Sequence, residues 1–361
     1  MTPLQTVIPR TGLFGRAKRR IKTLGLRGLR ATGASALIGR IYGGRGVILM
    51  FHDFTRDPHA NLDQGCHIED LDRILDRLRR RGRDIVTLDE AMARLADPRA
   101  RPFAVLTFDD GYRSNRDLAL PVLERHEAPA TIYVPTGAVT RTLNAWWLGL
   151  RQLFLDYDTV DIAPMGLRFL CPDFDSKIAG LRRATAWVWE DFRREEQLRD
   201  TFSAHGISLP DLVDRHLIGE AGMIELDRHP LIEIGAHTTT HRALARLAPD
   251  EVRRDIADNK AWLEEKLGRE VPHFAYPYGA PSISGTREAE IVRGLGFRTG
   301  VTTTEGCLFP NHLSTPFLLP RQNAEYTEDG AAYAACGIDG VFRALATRGG
   351  NPVAVGAGAG A

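Results

Sequence analysis

Apolar residues along this chain fall into two alternating patterns. Short apolar runs at 47–51, 104–108, 130–135, 231–235, 273–276 and 297–302 predict strands, with a briefer one at 84–87. Between them, apolar positions return every three or four residues. Ile68, Leu71, Ile74, Leu75 and Leu78 form one such face and predict a helix over 68–81. Helices are likewise predicted over 88–95, 114–126, 250–267 and 287–295. Strand and helix in repetition imply a mostly parallel sheet with helical crossovers.

Two regions depart from this alternation. Residues 142–229 contain Trp146, Trp147, Trp187 and Trp189 and read as a mainly helical insertion that shapes a cleft. Residues 11–41 lack proline, and Phe14, Ile21, Leu24 and Leu29 mix with Arg16, Lys18, Arg19, Arg20 and Lys22. Such a segment can lie on an anionic membrane surface, pack on the body or remain solvated. Glycines at 25, 28 and 33 weaken its helix. The stretch from Gly349 to Ala361 is Gly/Ala-rich and predicts disorder. The expected organisation is a basic leader over 1–45, a body over 46–345 with the insertion at about 142–229, and a tail over 346–361.

Charge sharpens the division. Residues 1–45 hold ten Lys/Arg and no Asp/Glu, and removing those ten from the 47 basic residues leaves 37 against 46 acidic ones. A basic arm on an acidic body, with no basic stripe interleaved with aromatics, argues against nucleic acid as a partner. Cys66, Cys171, Cys307 and Cys336 are scattered and form no CxxC; a reduced compartment fits them, and pairing stays open. No run reaches the roughly 18 apolar residues of a membrane span. The expectation is a cytoplasmic protein with peripheral contact at the inner membrane face through residues 1–45.

The chemistry sits at strand ends. The run at 104–108 finishes in Asp109, Asp110 and Gly111. Adjacent side chains on a strand face opposite ways, but a turn at the glycine lets both carboxylates reach one pocket. The run at 231–235 leads to His237 and His241, four residues apart, a spacing that places both imidazoles on one face of a helical turn or tight loop. Taken alone, Asp-Asp-Gly is also an ordinary solvated turn, and HxxxH also occurs as two unrelated surface histidines. Taken together, they form the donor set of a divalent-metal site. The placement suits a β/α barrel, whose site lies at the C-terminal ends of its strands. A third segment, Pro277-Tyr278-Gly279, follows another strand and can present a backbone N–H to an oxyanion.

In this order the three segments resemble the motifs of the polysaccharide deacetylase, or NodB-homology, family. Its first motif, Thr-Phe-Asp-Asp-Gly, is matched in full at 107–111. The second, His-Ser/Thr-x-x-His, is matched at 237–241, and the third at Pro277, Tyr278 and Gly279. The resemblance covers roughly 47–325. It implies a deformed (β/α) barrel with the helical insertion, and hydrolysis of N-acetyl groups, sometimes O-acetyl groups, on amino-sugar polymers. Carried over by position, Asp109 is the general base, Asp110, His237 and His241 are the metal ligands, and Tyr278 is the oxyanion donor. Zinc is the first expectation for the metal; cobalt, nickel, manganese and iron also suit such ligands.

Two departures from the family pattern stand out. Ala275 occupies the position of the arginine in the third motif, and the late Leu-x-His motif has no clear match. The chain instead offers Leu319-Pro320-Arg321 near the barrel's end and Phe51-His52-Asp53 near its start, features that resemble the biofilm-type poly-N-acetylglucosamine deacetylases. Arg321 is therefore the expected substitute for the missing arginine, with His52 lining the pocket and His312 a weaker candidate proton donor. The function expected is a metal-dependent N-deacetylase of an amino-sugar glycan or glycolipid precursor. Alternatives are a deacylase or deformylase of a small N-acylated sugar, and a catalytically weak glycan-binding protein on the same fold.

Overall fold

Runs of Val, Ile, Leu and Phe buried at every position need cover on both faces, which parallel strands obtain inside a ring of helices. Gly46–Phe51 and Phe103–Phe108 are buried throughout their length. The computed structural model describes residues 4–9, 13–325 and 330–354, with only the backbone for 13–20 and 22. Seven parallel strands form a closed barrel: β1 (Gly46–Phe51), β2 (Phe103–Phe108), β3 (Ala130–Val134), β4 (Ile232–Ala236), β5 (His273–Ala275), β6 (Thr299–Glu305) and β7 (Leu319–Asn323). Each pairs with the next in sequence, and β7 closes on β1 through Gln322↔Leu49. The short strand Asp84–Ile85 pairs with the start of β2 outside this ring.

Alternation along the strands separates two cores. Val47, Leu49 and Phe51 pack outward with Leu71, Ile74 and Leu75 of the helix Ile68–Arg80. Ile48, Val105, Tyr133, Ala275, Val301 and Leu319 meet in a second cluster that fills the barrel. Gly235 on β4 makes room for it, since a Cβ there would sit 2.5 Å from the Tyr133 ring. The register between β6 and β7 shifts between Val301 and Glu305, and the pairing resumes at Glu305↔Arg321, which marks an irregularity of the kind a bulge makes beside the site.

The insertion lies between β3 and β4. It is mainly helical, with Trp146–Asp156 and Phe174–Glu190 as its longest helices, and has its own core of Trp146, Phe154, Phe169 and Phe202. It also holds an antiparallel pair, Thr159–Ile162 with Leu167–Leu170, which the sequence reading missed. Gln5–Val7 adds to this pair in parallel, so the chain's start is tied to the insertion. The helices Leu13–Ala31 and Ala34–Tyr42 then pack with Gly330–Ile338 and Val341–Ala346 through Leu26, Tyr333, Cys336 and Val341.

Disorder was expected from Gly349 onward, but residues as far as Ala354 are held in place. The Tyr42 hydroxyl donates to the Gly350 carbonyl at 2.7 Å, and Arg343 donates to Val353 at 2.6 Å. Composition underrated them because their anchors are backbone carbonyls, which every residue carries. Residues 355–361 lie outside the described residues. All four cysteines are buried free thiols.

Candidate active site

β2 ends at Phe108, and the Asp109 amide still donates to Phe51 on β1 at 2.9 Å. The chain then turns sharply, with Asp110 at φ 69° and Gly111 at φ 64°. That turn sends two adjacent carboxylates to different partners. Asp109 receives both ends of the Arg321 guanidinium, Nη1 to Oδ1 at 2.7 Å and Nη2 to Oδ2 at 2.6 Å. Asp110 Oδ1 faces His237 Nε2 at 3.4 Å and His241 Nε2 at 3.1 Å.

The two histidines sit on a tight loop after β4 rather than on a helix, with Thr238 at φ 63° and His241 at φ 55°. Left-handed backbone at a non-glycine residue costs of order 1–3 kcal/mol and persists only where its surroundings impose it. Here the helix Pro249–Leu267 imposes it. Asp255 Oδ1 accepts from the amides of Thr239 and Thr240, both at 2.9 Å, and Asn259 Oδ1 accepts from the His237 amide at 2.9 Å. Asn259 also donates to the Val134 carbonyl and the Thr136 hydroxyl, locking the loop to β3. The His241 amide donates to Thr238 Oγ1 at 3.0 Å. Asp255 and Asn259 escaped sequence reasoning; the signal was two polar residues four apart on the buried side of an amphipathic helix.

His237 Nδ1 lies 2.7 Å from the Ala275 carbonyl, so it carries the proton and leaves the Nε2 lone pair facing Asp110. The donor atoms of Asp110, His237 and His241 all lie within 4.8 Å of one another, and all three residues are buried. Asp110 Oδ1 has no directed hydrogen bond despite its burial, which is costly for a carboxylate oxygen unless a cation meets it. The donor set therefore fits a divalent metal. Burial alone would raise the Asp110 pKa, but His241 and His237 override it and hold the carboxyl well below its usual range. Burial lowers that of His241 against the pull of Asp110, which favours the neutral imidazole a metal needs.

Arg321 is fully buried inside the barrel. Its Nε donates to the Thr302 carbonyl at 2.8 Å, its Nη1 also reaches the Thr107 hydroxyl at 3.2 Å, and the guanidinium lies 5.9 Å from the centroid of the Tyr133 ring. Burial works against ionisation of Asp109, yet Arg321 outweighs it and lowers the carboxyl's pKa. A guanidinium from β7 thus meets Asp109, while Ala275 brings none.

His52, just past β1, has Nε2 4.0 Å from Asp109 Oδ2. Glu325 grips it from the other side, accepting from the His52 amide at 2.6 Å and lying 3.1 Å from Nδ1. Burial would lower the His52 pKa, but Glu325, helped by Asp109 and Asp110, raises it to about 10. Sequence reasoning missed Glu325, whose one signal was its place just beyond the last strand, four residues after Arg321. His312 does not join the site. It is buried elsewhere, with Nδ1 accepting from the Phe309 amide and Nε2 donating to the Ala354 carbonyl. Its position near the chain's end had suggested a proton donor, but it closes a turn instead.

His52, Asp109, Asp110, His237, His241 and Glu325 line the floor of a cleft of about 480 Å³, with Arg321 beneath Asp109. The insertion supplies much of the wall, through Trp146, Trp147, Arg151, Thr185 and Trp189. Tyr278, at φ 60°, joins floor to wall: its hydroxyl accepts from Trp146 Nε1 at 2.9 Å, and its ring lies 4.8 Å from that of His241. Trp147 stands 4.9 Å from the same imidazole and donates to the Tyr112 hydroxyl at 2.9 Å. Arg151 is buried and pairs with Asp53 at 3.2 Å.

A closed parallel barrel thus carries carboxylates and imidazoles at the C-terminal ends of its strands, where barrel enzymes place their chemistry. The model of the polysaccharide deacetylase family matches residues 96–300, more than half of the chain, and the chain belongs to that family. Solved structures agree on the fold. A Streptococcus pyogenes deacetylase, PplD, in complex with acetate superposes with a TM-score of 0.52 at 18% identity, covering 78% of this chain and 95% of the other. A polysaccharide deacetylase from Bacillus cereus gives 0.51 at 15% identity over 81% and 68%. A de-N-acetylase from Aggregatibacter actinomycetemcomitans gives 0.50 at 12% identity over 78% and 95%. A search of curated proteins returned no match. β1 and β7 lie outside the family match, although they bring His52 and Arg321 to the site.

Proposed function

We propose that this chain is a metal-dependent hydrolase that removes N-acetyl groups from an amino-sugar glycan or glycolipid precursor. The observation that carries the reading is the division of labour at Asp109 and Asp110, one carboxylate held on Arg321 and the other on two histidines. Asp110, His237 and His241 would hold the metal, with zinc as the first candidate. When bound, a divalent cation supplies Lewis acidity to the acetyl carbonyl and to the attacking water.

The remaining steps belong to this chain's own residues. Asp109 stays ionised at neutral pH because of Arg321, and each oxygen keeps a lone pair beyond the one the guanidinium uses. It accepts the proton of the attacking water. The Tyr278 N–H donates to the oxyanion that develops on the acetyl carbonyl oxygen. His52, cationic beside Glu325, protonates the departing amine. The aromatic wall excludes water and offers faces on which a sugar ring stacks. Because the insertion walls the cleft, a chain end, a short oligomer or a lipid-linked sugar suits it better than the middle of a long polymer.

Acetate release from N-acetylglucosamine oligomers by the zinc-loaded protein tests the reading. Release by the wild type is expected. No release from oligomers, with release from a small N-acylated sugar, would shift the assignment to the small-substrate deacylase.

A further inference from the structure

We propose that the corner formed by the helices Leu13–Ala31, Ala34–Tyr42 and Val341–Ala346 is a docking surface for an anionic lipid bilayer. These helices already bury one face. Leu26, Tyr333, Cys336 and Val341 pack between them and Gly330–Ile338. A helix satisfied on that side has no need of apolar residues on the other.

Yet that other side is where the chain's exposed apolar residues gather. Among the described residues, eight large hydrophobics are exposed, and five of them are Ile21, Leu24, Leu37, Ile41 and Leu345. Each is more than 60% exposed, against 46% for Trp189 and 40% for Leu313 elsewhere. Ile21 and Leu24 are three apart on one helix, and Leu37 and Ile41 four apart on the next, so each pair shares a face. The two helices touch each other, and the second touches Val341–Ala346, which brings Leu345 to the same corner. Concentration of this kind marks an interaction surface, whereas single exposed leucines do not.

Charge decides the partner. The helix Leu13–Ala31 carries seven basic residues and no acidic one, and Arg27 and Arg40 are exposed beside the apolar positions. Apolar side chains beside exposed Arg27 and Arg40 match an anionic headgroup layer over acyl chains. A second copy of this chain would set the same positive corner against itself. No helix among the described residues is long and apolar enough to cross a membrane, and the contact proposed is peripheral. None of these residues lines the cleft, so docking leaves it free. The inference does not depend on the reaction proposed above.

Cosedimentation of the full chain with vesicles tests it, comparing phosphatidylglycerol mixed with phosphatidylcholine against phosphatidylcholine alone. Binding to the anionic vesicles only, weakened by high salt, is expected. The triple variant Leu24→Glu, Leu37→Glu and Ile41→Glu should lower the affinity roughly a hundredfold while keeping the wild-type circular dichroism and acetate release. Should the triple variant misfold, Arg27→Glu with Arg40→Glu reads the same surface through charge. The proposal falls if the wild type ignores both vesicles, if it binds neutral ones equally, or if the folded variants bind as well as wild type. It also falls if the wild type is a dimer that the triple variant dissociates and that binds no vesicle, which would assign the corner to a second copy.

Discussion

In the floor of the cleft, charged groups meet partners across the barrel. Arg321 from β7 holds Asp109 from β2, Ala275 on β5 orients His237, and the helix Pro249–Leu267 clamps the histidine loop. In the wall, contributed largely by the insertion, contacts are largely aromatic, and two indole N–H groups end on tyrosine hydroxyls, Trp146 on Tyr278 and Trp147 on Tyr112. The floor fixes charge to within a hydrogen bond, as bond-making chemistry requires. The wall fixes shape and apolar surface, as selection of a sugar requires. Reaction and substrate choice are therefore encoded in separate stretches of chain, and substitutions should affect them separately.

The largest effect is expected at the proton acceptor. Asp109→Asn keeps the shape of the side chain but cannot take a proton, and should lower kcat roughly a thousandfold with little change in metal content. A comparable fall in metal content would merge the roles of Asp109 and Asp110 and break the division proposed for the floor.

Arg321→Ala comes next. It leaves a buried carboxylate unpaired and should destabilise the metal-free protein by about 3–5 kcal/mol at neutral pH. The sign with pH is informative. The Asp109 pKa is depressed in the folded protein, so its ion pair contributes stability above the unfolded carboxyl's pKa of about 4 and loses it as pH falls through the lower folded value. Without Arg321, burial raises that pKa, and the variant should gain stability from pH 8 toward pH 5. Urea unfolding at several pH values separates the two, and a variant with no gain in stability from pH 8 to pH 5, where the Asp109 pair leaves wild type unchanged, would show that Arg321 is not the partner that matters.

Wall residues should act on binding. Trp189→Ala, at the exposed rim, should raise KM roughly 3- to 10-fold with kcat nearly unchanged. A fall in kcat with KM unchanged would place the wall in the chemistry and undo the comparison.

The smallest effect concerns His52 and Glu325. A pKa raised to about 10 means that the pair contributes stability fully below about pH 6.5 and loses it as pH rises through about 10. Glu325→Gln should flatten that alkaline decline by about 1 kcal/mol or less, measured by unfolding between pH 7 and 10.

The sequence revealed these regions unequally. Apolar runs ending in Asp109 and Asp110 or leading to His237 marked both the strands and the floor, because a parallel strand buried on both faces has a pattern few other elements share. Arg321 was legible only through the family resemblance, as the expected substitute for the arginine missing at Ala275. Asp255, Asn259 and Glu325 were not, because their role lies in which backbone amide they meet after folding. The insertion showed its tryptophans but not its short strand pair, four residues on each side, nor the pairing of Gln5–Val7 with it from more than 150 residues away. His312 misled because position in the chain said nothing of direction in space.

The most direct test of the central claim is a zinc titration of metal-stripped protein with acetate release followed in the same samples, wild type against His237→Ala. One zinc per chain, with activity rising in step and both lost in the variant, is the predicted result. Full activity in the stripped protein, or zinc bound equally well without His237, would contradict a reaction run from Asp110, His237 and His241.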